Sequence, residues 1–424
     1  MLRLVYTLLW LVILPLALLR LVWRSRKEPG YVQHIGERLG RYDDVPADGP
    51  WLWVHAVSVG ETRAAQPLID ALLAAYPQHR LLLTHMTPTG RQTGAQLYGD
   101  NPRVQQCYLP YDMPWLVRRF LSHFRPDAGL IMETEVWPNL VHVTRRVGVP
   151  LFLVNARLSP RSYRRTARFG AAAASLYNDF TMVLAQTAGD AERYRALGVK
   201  SVQITGNLKF DMQPPEVGMA RGQQLRRAFG GRQVLAAAST REGEEPLILE
   251  AFSRWPGKVR PLLLLVPRHP QRFDEVAAMA ARAGFTVQRR SALDIEQIDT
   301  PITADIVLGD SMGEMAMYYA ASDMSYIGGS LIPLGGQNLI EACAVGTPVL
   351  MGLHTFNFAQ ATEDAIAAGA CIRVANADEL MAAAASVLDD PARLADMRAH
   401  ALTFAGLHRG ATARTLGALA PVLR

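Results

Sequence analysis

Cysteine is scarce in this chain: Cys107, Cys343 and Cys371 are the only three, widely scattered and without a Cys-x-x-Cys pair. An odd, dispersed set argues against a disulfide framework and fits a reducing cytoplasm. No His, Cys and Asp grouping has metal-ligand spacing, so no metal is expected. His55, His85, His269 and His354 stand isolated, each read first as a loop or packing histidine. Zinc spacing, a helix-turn-helix pattern and basic runs interleaved with aromatics are all missing, which leaves nucleic acid without a signature. No short-period repeat is visible, which removes the repeat architectures. Acidic residues are missing locally as well. Arg157, Arg161, Arg164, Arg165 and Arg168 follow one another with no carboxylate until Asp179. Such a run is either a solvated face or a surface for anionic headgroups or a phosphorylated lipid.

What is present points toward a membrane. Half of the 424 residues are hydrophobic and the net charge is +6, which favours anionic partners such as phospholipid or a phosphorylated substrate. Leu4 to Leu19 carries no charge. Sixteen helical residues reach only about 24 Å against a bilayer core of about 30 Å. Spanning therefore requires Arg20 to snorkel and Leu21-Val22-Trp23 to join. Arg20, Arg24, Arg26 and Lys27 outnumber Arg3, placing the C-terminal side in the cytoplasm. No small-x-small cleavage site follows, which disfavours a signal peptide. Spanning the bilayer and lying in its interface both stay open.

From Trp51 onward short apolar runs alternate with helical patterns. Leu52–Ala56, Leu81–Thr84, Cys107–Leu109, Gly129–Met132, Leu151–Val154 and Met182–Ala185 read as strands, and Val234–Ala238, Leu262–Val266, Ile306–Leu308, Met324–Ile327 and Val349–Met351 form a second series. Unbroken apolar strands between helices predict parallel sheets covered on both faces. The expected α/β architecture has an anchor at 1–27, a Rossmann-like domain at 28–205 and a Gly/Pro linker at 206–216. A second Rossmann-like domain follows at 217–400, and a C-terminal helix at 401–424 is placed to pack back on the first. Two such domains facing across a cleft would bind ligands at the C-terminal ends of their strands.

Several segments at those ends carry chemistry. Gly335-Gly336-Gln337-Asn338 precedes a helical run holding Glu341. Glycines at a loop-to-helix junction let backbone N–H groups approach an anion, and Glu341 is spaced to accept hydrogen bonds from a ribose diol, as in a nucleotide-sugar pocket. The bland alternative is a Gly-rich turn. Arg268-His269, between prolines, can pair with a phosphate or carboxylate or form a plain surface loop. Gly309-Asp310-Ser311 has small residues that could admit a base or ribose, although Asp310-Ser311 would also serve as an N-cap. Ser58-x-x-Glu61 and Ser239-x-x-Glu242 both read as capping boxes. Glu61 is also placed to act as a general base from the first strand-to-helix loop, where a helix N-terminus would keep it ionised and a weaker base. Glu133 and Glu135 either line the acceptor side or are solvated.

Taken together the segments resemble the membrane-anchored 3-deoxy-D-manno-octulosonic acid (Kdo) transferases of lipid A assembly in Gram-negative bacteria. The matching pieces span nearly the whole chain, in the family's order. They are the anchor, Gly36–Gly40, His55–Glu61, Thr87–Gly90, Glu133–Asn139, Gly206–Asp211, Pro267–Pro270, Asp310–Glu314, Gly335–Asn338 and His354–Phe358. The resemblance implies a GT-B fold and an inverting, metal-independent transfer of Kdo from CMP-Kdo to lipid IVA at the inner membrane, without a cofactor. It makes Glu61 the base and places Arg268, His269, Gly309, Asp310, Ser311, Gly335, Gly336, Gln337 and Asn338 on the CMP side. The phospholipid surface and lipid acceptor fall to the anchor and to Arg157, Arg161 and Arg164. Gln337 stands where the family often has His, Arg241 where a His follows Ser-Thr, and Leu353 where a Pro precedes His354. A nucleotide-sugar epimerase and a non-catalytic membrane sensor are the competing readings of the same scaffold. The anchor and the arginine run argue against an epimerase, whose soluble substrate needs neither, and the acidic residue opposite the nucleotide domain argues against a sensor.

Overall fold

The computed structural model describes residues 2–26, 28–42, 49–295 and 301–423, so Lys27 of the basic flank lies outside the described residues. The chain divides into two compact units, Met1–Met212 with Arg409–Arg424, and Gln213–His408.

The first unit is built on β1 (Trp51–His55), β2 (Arg80–His85), β3 (Val104–Tyr108), β4 (Ala128–Met132), β5 (Leu151–Ala156), β6 (Met182–Ala185) and β7 (Val202–Ile204). They run in the order β3-β2-β1-β4-β5-β6-β7, every pair parallel. Parallel strands need crossover helices on both faces, so the central strands are apolar at nearly every position. Trp53, Leu82, Ile131 and Leu153 pack into one layer. Their neighbours Leu52, Val54, Leu83, Leu130 and Val154 pack into the other, the two-residue period of a pleated strand. The C-terminal helix Ala411–Leu419 belongs to this unit and packs on helix Val59–Ala75. The Asp211 carboxylate pins its start, accepting from the N–H groups of Gly410 at 2.6 Å and Thr412 at 2.5 Å.

The second unit holds β8 (Val234–Thr240), β9 (Leu262–Pro267), β10 (Val287–Arg289), β11 (Ile306–Leu308), β12 (Met324–Ile327), β13 (Val349–Met351) and β14 (Cys371–Arg373). Their order is β10-β11-β9-β8-β12-β13-β14, again all parallel. Strands β7, β10 and β14, which the apolar pattern did not reveal, are three-residue edge strands with partly exposed side chains.

Each sheet has a switch point in its strand order, between β1 and β4 and between β8 and β12, and in the second sheet β10 and β11 are also exchanged at the edge. Loops leaving the two strands at such a point depart to opposite faces and open a crevice beyond the strand ends. Glu61 and Glu133 follow β1 and β4, and the Gly335–Asn338 loop lies beyond β12, whereas Arg157 follows β5, Arg268 and His269 follow β9, and Gly309–Ser311 follow β11. Among the described residues one helix is long and apolar enough to cross a membrane, Arg3–Ser25, with a mean hydropathy of 2.2. That suits a membrane anchor.

Candidate active site

In the first unit, helix Val59–Ala75 begins three residues beyond β1 and carries Glu61 in its first turn. Ser58 is the N-cap, but its hydroxyl caps nothing. Glu61 Oε2 instead accepts from the Val57 N–H at 2.7 Å. The expected capping box is thus half formed and shifted one residue toward the strand. Burial pushes the Glu61 carboxyl up to about 7. The Val57 N–H opposes the shift, Glu133 and Glu135 add to it, and Lys209 opposes it more weakly. The expectation of a firmly ionised, weak base is therefore overturned, because loss of water outweighs the helix terminus.

Glu133 follows β4 with φ 55, a left-handed backbone that non-glycine residues adopt at a cost of about 1 kcal/mol or more. Its Oε1 pairs with Lys209 Nζ at 3.0 Å. Lys209 lies in the turn Leu208–Asp211, and Asn155 at the end of β5 holds that turn by accepting from the Leu208 N–H at 3.1 Å. Glu135 Oε2 accepts from Trp137 Nε1 at 2.8 Å, and burial raises its pKa. Glu61, Glu133 and Glu135 are thus electrostatic neighbours beyond β1 and β4. Lys209, absent from the residues singled out by sequence as site groups, completes the cluster. Arg157 follows β5, half-buried. Arg161 and Arg164 sit on the exposed helix Pro160–Ala167 and make no ion pair among the described residues. His55 and His85 are packing residues: burial brings them down to about 3 and about 4, and they hydrogen-bond to Thr84 and the Ala56 carbonyl.

In the second unit the loops after β8 and β12 are tied by one buried carboxylate. Glu244 Oε2 accepts from the N–H groups of Gly329 at 2.7 Å and Arg241 at 2.9 Å. Its Oε1 accepts from the Tyr326 hydroxyl at 2.5 Å and the Leu331 N–H at 3.2 Å. Ser239 has φ 56 and the helix starts at Glu244, so the Ser239–Glu242 capping box does not form. Gly328 is required where it stands, since a Cβ there would lie 2.3 Å from the Ser239 carbonyl oxygen.

Arg268 and His269 emerge exposed from the end of β9. Arg268 donates its backbone N–H to the Thr240 carbonyl at 3.0 Å, which fixes the loop beside β8. The His269 pKa is lowered by burial and then by Arg241, Arg268 and Arg272, which marks a concentration of positive charge. Arg272 is engaged with Glu245. Arg241 and Arg268 have no carboxylate partner among the described residues. Gly335 and Gly336 adopt φ 92 and 72, and the loop folds back on β12: Gly336 N–H donates to the Gly329 carbonyl at 2.7 Å and Gln337 N–H to that of Gly328 at 3.0 Å. Those two amides shape the loop rather than facing an anion. Asn338 Nδ2 donates to Glu341 Oε1 at 2.9 Å. Asp310 is occupied too, accepting from the Ser291 N–H at 2.8 Å and hydroxyl at 2.7 Å, while Ser311 bonds Glu314 and Tyr318. Gly309 leaves no room for a side chain, its Cβ position being 2.7 Å from Val266 Cγ2.

The model of the family "3-Deoxy-D-manno-octulosonic-acid transferase (kdotransferase)" matches residues 33–212. A 3-deoxy-D-manno-octulosonic acid transferase of Bordetella pertussis is 46% identical over 98% of this chain and 98% of its own length. The chain belongs to the Kdo transferase family. The Haemophilus influenzae Kdo transferase is 37% identical, covering 84% of this chain and 83% of its own. Kdo transferases are glycosyltransferases of lipopolysaccharide biosynthesis, and this chain is one of them. Its α/β architecture is GT-B-like. The UDP-GlcNAc 2-epimerase of Neisseria meningitidis matches 88% of this chain and 100% of its own with a TM-score of 0.60. At 14% identity this is a likeness of fold alone.

Proposed function

We propose that this Kdo transferase moves Kdo from CMP-Kdo to a hydroxyl of lipid IVA with inversion at the anomeric carbon, Glu61 acting as general base. The observation that carries the reading is Glu61 itself: a carboxylate fixed to the Val57 N–H beyond β1 and raised to about 7. A base with a pKa near the working pH combines a useful ionised fraction with a real affinity for the proton. As the acceptor oxygen attacks the anomeric carbon, its proton passes to Glu61. The bond from that carbon to the phosphate oxygen breaks, and CMP departs as a phosphate monoester. In this reading Arg268, Arg241 and His269 meet the phosphate charge, and no metal is called upon. Gly309, the Gly335–Asn338 loop and Glu341 enclose the nucleotide. Asp310 and Ser311 shape that wall through Ser291 and Tyr318.

Glu133 and Glu135 line the acceptor side, and Arg157, Arg161 and Arg164 face the phosphates of lipid IVA or the surrounding phospholipid. The Arg3–Ser25 helix holds the enzyme at the inner membrane, with both units on the cytoplasmic face. Mass spectrometry of lipid IVA incubated with CMP-Kdo and the enzyme tests this. A product heavier by whole Kdo residues is expected. Consumption of CMP-Kdo without a lipid product would refute the acceptor, and binding without turnover would refute the transfer.

A further inference from the structure

We propose that helix Leu2–Ser25 lies flat in a single leaflet, clamped along one face to the first unit, so that the N-terminus and the catalytic units share one side of the bilayer. The inference rests on the membrane reading above and concerns only how the helix meets the lipid.

One face of the helix is docked. Thr7 Oγ1 donates to Asn139 Oδ1 at 3.1 Å. The Trp10 ring stacks on Trp137 at 6.4 Å and lies 5.7 Å from Tyr111. Leu14, Ala17 and Leu21 continue the seam against Tyr31, Met113 and Leu116. These positions recur every three or four residues, as one face of a helix must. The docked stretch from residue 7 to residue 21 is about 21 Å long. A bilayer core is about 30 Å thick, and the undocked ends are only about one turn each. A helix held to a polar α/β unit over most of its length has too little left to cross. The other face exposes Leu8, Val12, Leu16, Leu19 and Trp23. Apolar character all round, rather than on one stripe, follows from meeting protein on one side and lipid on the other.

Charge agrees with that orientation. A cavity of about 360 Å³ lies against the N-terminal end of the helix, lined by Arg3, Leu4, Arg118, His142, Arg146 and Val147 among others. Arg3, Arg118 and Arg146 have no ion pair among the described residues. If the helix crossed the bilayer, docking would carry Arg118 and Arg146 into hydrocarbon or the far headgroup layer along with Arg3. In the flat arrangement all three sit at headgroup depth, where guanidinium groups meet phospholipid phosphates.

Two measurements on the full chain in native membranes decide the matter. The native cysteines are buried, so a cysteine inserted after Met1 and a second variant, Gln78→Cys on an exposed loop of the first unit, can each be probed with a membrane-impermeant maleimide. Both should react in inside-out vesicles and neither in intact spheroplasts. Labelling of the N-terminal cysteine in spheroplasts, with Gln78→Cys protected, overturns the proposal. In isolated membranes treated with copper–phenanthroline as oxidant, turnover-competent Thr7→Cys/Asn139→Cys enzyme should form a disulfide, while Leu8→Cys/Asn139→Cys stays reduced. Absence of the first cross-link overturns the clamp. Recovery of the protein only in the soluble fraction overturns the anchor itself, and so is distinguishable from either result.

Discussion

Replacing Glu61 with glutamine separates a catalytic carboxylate from a helix cap. In the folded chain the carboxyl is moved from an ordinary 4.5 to about 7, so its charged form is disfavoured there by roughly 3 kcal/mol. Between those values the folded chain holds a proton that the unfolded chain has released, and stability falls as pH rises across the window. Below about pH 4.5 both states are protonated and the contribution is fully present; above about pH 7 it is lost. Glutamine is neutral throughout, and its carbonyl oxygen still accepts from the Val57 N–H. At about pH 8.5, Glu61→Gln should therefore be more stable than the parent by up to roughly 3 kcal/mol. At about pH 5 the gain should shrink toward zero, and turnover should be lost at every pH. Urea unfolding at the two pH values, beside a product assay, reads both effects. A carboxylate that served only as a cap would behave otherwise: glutamine caps in the same position, so turnover would survive the substitution. Lower stability of Glu61→Gln at high pH, or preserved turnover, would refute the reasoning.

Arg268→Ala and Arg241→Ala should each weaken CMP-Kdo binding about 10- to 100-fold, the range of a charge-assisted hydrogen bond. Calorimetry at two salt concentrations should show the loss to be smaller in high salt. Glu244→Ala strands the N–H groups of Arg241, Gly329 and Leu331 and the Tyr326 hydroxyl in a buried setting. It should destabilise the second unit by at least about 3 kcal/mol in urea unfolding, and a near-neutral result would show the two loops to be held by other means.

The centres of both sheets were legible because parallel strands buried on both faces leave uninterrupted apolar runs, such as Leu262–Val266 and Met324–Ile327. The edges were not. Val287–Arg289 and Cys371–Arg373 pair on one side only and are partly exposed, so nothing in their composition announces a strand. The candidate site divides in the same way. Glu61 and Arg268 could be picked out from their places after apolar strands. The raised pKa of Glu61 could not, since it depends on burial and on Glu133, Glu135 and Lys209, distant in sequence. Local pattern also misled at Ser239–Glu242, where the capping signal is overridden by a left-handed Ser239 and by Glu244 turning inward to Gly329. Asp310 read either as a ligand contact or as an N-cap, and its bonds to Ser291 and pairing with Arg289 depend on neighbours that only the folded chain brings near.

The pH dependence of kcat/KM tests the central claim, that Glu61 is a desolvated base tuned by its carboxylate neighbours. The parent enzyme should rise about tenfold per pH unit on the acid side and level off near pH 7. Removing a negative neighbour with Glu133→Gln should move that limb to lower pH, and removing the ammonium with Lys209→Met should move it to higher pH. A limb that stays in place in both variants, or an active Glu61→Gln enzyme, would contradict the account.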